Sequence, residues 1–169
     1  MKKPVDVIAA IGIALGGVLG MAGSIVTSQN VRAICWAIDG VGLVVAASLL
    51  ALKFFRKGND YVAAGFLVWA IGEGVMLSGT ASSLTGSIPS FAAGTALWSA
   101  ALLLISIPRE FALWARAAGT ISAILFAITS LRIFWGEPLT PIVRPLPFFA
   151  YPLLVLTFAG WIWTTLKAD

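Results

Sequence analysis

Apolar stretches of membrane-crossing length follow one another along almost the whole chain, broken only by short polar or charged clusters. A helix needs about 20 mainly apolar residues to cross the ~30 Å hydrocarbon core of a bilayer. Cutting at charges, prolines and polar clusters gives six spans: Val7–Val26, Ala33–Phe55, Tyr61–Ser82, Ser90–Ile107, Ala115–Trp135 and Leu146–Leu166. Lipid offers no hydrogen bonds, so such spans are confined to helices. The expectation is an all-α, polytopic transmembrane bundle forming one domain over residues 1–169. Composition points the same way. The chain is 60% hydrophobic and 11% charged, against roughly 25% charged in a soluble protein. The opening "MKKPVDVIAAIGIALGGVLGMAG" has the basic start and apolar centre of a signal peptide; it is read as a retained first span.

The connections are short, so consecutive helices should be antiparallel neighbours. Basic residues orient the bundle, because cytoplasmic loops carry an excess of Lys and Arg. Lys2, Lys3, Lys53, Arg56, Lys57, Arg109, Arg116 and Lys167 fall on one side, and Arg32, Arg132 and Arg144 on the other. That bias and an even number of spans put both termini in the cytoplasm. Trp36, Trp135, Phe148, Phe149 and Tyr151 are expected at the outer interface, and Trp114, Trp161 and Trp163 at the inner one. Trp69 and Trp98 fall mid-span, where ring packing between helices is expected.

Several chemistries are excluded by what is missing. There is no histidine, and Cys35 is the only cysteine. His-ligated haem, Cys/His zinc sites, cysteine-held iron–sulfur clusters and internal disulfides are ruled out, as are Ser-His-Asp and Cys-His catalysis. The net charge of +4 is scattered between apolar runs and forms no nucleic-acid footprint. No cofactor or metal is expected, and the lipid bilayer is the expected environment.

Small residues mark packing faces, since membrane helices associate by close backbone approach. Gly12, Gly16 and Gly20 recur at four-residue steps in the first span, and Gly65, Gly72 and Gly79 at seven-residue steps in the third. Packing inside the bundle is the first expectation for both faces, and contact with another chain the second. Pro152 should make the last helix start late or bend near its outer end.

Three ionisable residues fall within spans. At 1.5 Å per residue, Asp39 lies about 9 Å, Glu73 about 13 Å and Arg132 about 5 Å from the outer ends of their spans. Buried charges usually face the bundle interior and find partners, so the three are expected to share one outer-half polar site. It is either a clamp holding spans two, three and five or a working site for a ligand, ion or proton.

The expected function is that of a small non-enzymatic integral membrane protein, an accessory or assembly subunit in a bacterial cytoplasmic membrane, within a homo-oligomer or larger complex. The alternative is a transporter or binding protein for a small molecule, ion or proton, using Asp39, Glu73 and Arg132.

Overall fold

The computed structural model describes residues 4–80, 84–137 and 149–167. They form six helices: α1 (Pro4–Ile25), α2 (Gln29–Arg56), α3 (Asp60–Thr80), α4 (Leu84–Ser106), α5 (Leu113–Phe134) and α6 (Tyr151–Lys167). Five are long and apolar enough to cross a membrane. The sixth has 17 residues, about 26 Å of rise, just short of a full hydrocarbon core. Lys2, Lys3, Arg144, Phe148 and the prolines at 138, 141, 145 and 147 lie outside the described residues.

One helix start differs from the sequence-based spans. α4 begins at Leu84 rather than Ser90 and carries Pro89 inside it. This proline lies near the N-terminus, so it removes a single ladder hydrogen bond, the one to Thr85, and the helix absorbs the loss. α6 runs from Tyr151 and continues a wider helical turn at Phe149 and Ala150; the expected start at Leu146 lies outside the described residues. Ala150 lies deep. Ser122 of α5 donates to the Ala150 carbonyl at 3.1 Å, although α5 runs on to Phe134, about 18 Å further along its axis.

Each helix packs on its neighbours in sequence, and α1 closes the ring against α6. The contacts fix antiparallel order. Asp6, near the start of α1, pairs with Lys53, near the end of α2, at 2.7 Å, with both side chains largely buried. Ser130, late in α5, donates to the Ala92 carbonyl early in α4 at 2.8 Å. Helix ends leave carbonyls unpaired, and two arginines answer this in the same way. Arg32, early in α2, donates to the Val26 carbonyl just past α1 at 2.7 and 3.3 Å. Arg116, early in α5, donates to the Ser106 and Ile107 carbonyls at the end of α4 at 2.7 and 2.8 Å.

Both glycine faces are used inside the chain. A Cβ at Gly12 would lie 2.5 Å from the Gly42 carbonyl oxygen of α2, and one at Gly16 would strike the Leu43 side chain. On α3, a Cβ at Gly65 would meet Ile105 and one at Gly72 would meet Leu97, both on α4, while one at Gly79 would collide with Ser90. Backbones approach closely along α1–α2 and α3–α4, as small residues permit.

The interior is a connected column of rings. Trp69 and Trp98 stack at 4.9 Å and 4°; Trp69 also meets Phe158 and Trp161 edge-on. Trp161 meets Phe66 at 4.9 Å, and Phe66 stacks on Phe54 at 5.7 Å. Offset and edge-on arrangements like these each add about 0.5–1.5 kcal/mol beyond burial. Trp161 is therefore a core residue, 2% exposed, and not part of an interfacial belt. Trp135, Trp114 and Trp163 are outward-facing, at the helix ends.

The α1–α2 contact predicts a contrast between two glycine substitutions. Gly16→Leu should cost about 1–3 kcal/mol through overpacking against Leu43. Gly74→Ala, with nothing within 4 Å of the added Cβ, should be neutral or slightly stabilising. Thermal unfolding of both variants in detergent checks the pair; equal midpoints would overturn the packing account.

Candidate functional site

Asp39 and Glu73 are held in the interior by two neighbouring helices. Asp39 sits on the face of α2 that carries buried Leu43 and Ala46, which turns it toward α1 and α3. Gly20 makes room for it: a Cβ there would lie 2.9 Å from Asp39 Oδ2. The missing side chain on α1 is thus a condition for the carboxylate on α2. Glu73 lies one helical turn beyond Trp69 on α3, so the ring column that buries Trp69 also turns Glu73 inward. Glu73 is 4% exposed and Asp39 8%, and the two carboxylates are close enough to feel each other's charge.

Neither is neutralised by a bonded cation. Asp39 Oδ1 and Glu73 Oε2 are buried without a hydrogen-bond partner. The Trp98 indole lies near enough to act on Glu73, but its Nε1 is outside hydrogen-bonding geometry and is itself unpartnered. Buried acceptors left without donors each cost about 1–3 kcal/mol, more when charged. Among the described residues, these are the buried charged groups to which the fold gives no bonded partner; the third, Asp6, is paired with Lys53.

Arg132 is elsewhere. Its guanidinium is 2.6 Å from Glu137, with the side chain 42% exposed, and it does not line the cavity that holds Asp39 and Glu73. The physical reason is local. α5 ends at Phe134, and the turn that follows, with Gly136 at φ 95°, brings Glu137 back beside Arg132. A long side chain one turn from a helix end reaches outward more cheaply than inward.

Asp39 and Glu73 line a cavity of about 340 Å³. One end meets the ring column at Trp98 and Phe158; Met21, Met76 and Leu154 add apolar wall. Its other end carries Ser24, Gln29, Arg32 and Ser87, residues from the ends of α1, α2 and α4 that lie on one side of the bundle. Arg32 is held at this rim by its bonds to Val26, with its guanidinium 5.9 Å from the centre of the Trp36 ring. At the opposite end of the bundle, a shallower depression near Asn59 is bridged by polar pairs: Lys57 and Asn59 both meet Glu110, at 3.6 and 3.2 Å.

Sequence reasoning did not place Tyr151 here. It was expected in the outer aromatic belt, but the register of this segment against α5, held by the Ser122–Ala150 bond, carries it inward. Its ring packs 5.9 Å from Phe126, which itself meets Trp98 edge-on at 5.3 Å. Tyr151 lines the cavity, within the electrostatic reach of both Asp39 and Glu73. Nothing in the sequence gives the depth of this register.

No protein-family model matches the chain, and no curated protein or solved structure is significantly similar to it. The cavity itself has to carry the functional argument. Its first consequence concerns Arg132. As an exposed residue paired with Glu137, it should be replaceable: Arg132→Ala should leave the thermal midpoint in detergent close to wild type. A large loss of stability would mean that Arg132 does neutralise a buried carboxylate.

Proposed function

We propose that this is a small, non-enzymatic integral membrane protein that binds a small positively charged solute between Asp39 and Glu73. The observation that carries the reading is the pair of carboxylates, both more than nine-tenths buried and with unpartnered oxygens, facing one cavity. Charged groups inside a membrane protein are costly, roughly 2.5–3.5 kcal/mol each on insertion scales, and mark ligand or ion pathways. A structural clamp would need a cation between the acids, and Arg132 is bound to Glu137 instead. Two ionised carboxylates side by side would push helices apart.

Orientation and location form part of the proposal. The basic-residue bias supports both termini in the cytoplasm, which would open the cavity to the outer face. A helical architecture, and not a closed barrel, supports a cytoplasmic membrane, that of a bacterium in the reading advanced above. A role as an accessory subunit rests on small size and short connections. The glycine faces do not add to it, since both are packed within the chain.

Two experiments test these statements. In a Cys35→Ala background, single cysteines at Arg109 and at Trp135 should be labelled by an impermeant reagent from opposite sides of the membrane, Trp135 from outside. Labelling of both from one side would overturn the topology. For binding, calorimetric titration of the detergent-solubilised protein with a set of small organic cations, from methylammonium to tetramethylammonium and arylalkylammonium salts, should give at least one saturable isotherm. Glu73→Gln keeps the side chain's shape while removing its charge. It should retain a wild-type-like melt and weaken that binding at least tenfold. If no cation in the set binds the wild-type protein, the proposal fails.

A further inference from the structure

We propose that the ligand is an N–H-bearing organic ammonium with an apolar, aromatic-sized body, its head between Asp39 and Glu73 and its body along the cavity wall. This rests on the cation-binding reading and narrows it by chemistry. Asp39 Oδ1 and Glu73 Oε2 are acceptors without donors, so the complementary head group is one that donates. A primary ammonium brings three N–H donors and can serve both carboxylates at once. A quaternary ammonium offers none and would leave both acceptors unmet, at the cost that attends buried unpaired groups. An inorganic divalent cation needs six or more oxygen ligands. Among the described residues no cluster of three acid, histidine or cysteine side chains exists to supply them.

The body of the ligand follows from the walls. Beyond the carboxylates the cavity is bounded by Trp98, Phe158, Met76, Leu154 and the Tyr151 ring. Methionine and aromatic side chains of this kind accommodate flat or irregular apolar groups. About 340 Å³ lies within the range of small-molecule sites, roughly 300–1,000 Å³, where apolar lining supplies affinity and a few polar groups fix orientation. Methylammonium fits the head subsite and leaves the wall uncovered.

The test uses the full chain in detergent and three probes: phenethylammonium, its N,N,N-trimethyl analogue, and 2-phenylethanol. Calorimetric titration should show saturable binding of phenethylammonium. The trimethyl analogue should bind at least tenfold more weakly, since it keeps the charge and ring but donates nothing. The alcohol should not bind measurably. Asp39→Asn and Glu73→Gln should each weaken phenethylammonium at least tenfold. A trimethyl analogue equal to or tighter than phenethylammonium would overturn this inference while leaving the cation site intact. Binding of methylammonium as tightly as phenethylammonium would do the same for the aromatic wall. Absence of binding by every cation tested would overturn both readings. Because the ligand series is run on the wild-type protein, the answer does not depend on any variant folding.

Discussion

The crossing of Gly12 on Gly42 sets the terms for much of this molecule. With no side chain on either residue, α1 and α2 approach until an added Cβ at Gly12 would stand 2.5 Å from a backbone oxygen. Hydrocarbon provides no hydrophobic drive between helices, so such contact is where dispersion is gained. The same register then continues upward along α1. Gly16 receives Leu43 and Gly20 receives Asp39. A carboxylate can sit inside the ring because, less than one turn away on α2, the backbones already touch at Gly42. On the other side of Asp39, α3 is drawn onto α4 through Gly65 and Gly72, and that contact brings the Trp69–Trp98 stack together.

Much of this was legible in the residues. The all-helical class, the inward facing of Asp39 and Glu73, and the small-residue faces on α1 and α3 follow from helical periodicity and from the cost of charge in lipid. What stayed hidden depends on distances along the membrane normal between segments that no local pattern connects. Arg132 has the same formal charge wherever it points. Whether it turns in or out depends on Glu137, one turn away, and on the glycine that folds the chain back. The depth of Tyr151 depends on where α6 sits against α5, a register held by the Ser122–Ala150 bond. Trp161 belongs to the column because Phe66 and Trp69 are there to meet it.

The two capping arginines give a physical reason for a faint sequence echo. "VRA" early in α2 and "ARA" early in α5 share an Arg-Ala pair, and both arginines close the carbonyl end of the preceding helix. Since successive helices alternate in direction, the two caps lie at opposite ends of the bundle. Each joins a cation to the negative end of a helix dipole and spares a helix terminus from being left unpaired near lipid. An isolated dipeptide match says little; the shared bonding explains why arginine stands at both places.

The ring column has an electrical consequence. If the proposed site opens to water on its polar side, the stacked indoles of Trp69 and Trp98 would divide the membrane unevenly. The transmembrane potential would then fall mainly across the ring-filled part, where each elementary charge is worth about 2.3 kcal/mol per 100 mV. A cation bound as proposed between Asp39 and Glu73 would lie on the near side of that drop, having crossed little of the field. Its equilibrium with the aqueous phase it came from would be nearly indifferent to voltage, while movement beyond Trp69 and Trp98 would meet almost the whole of the field at once.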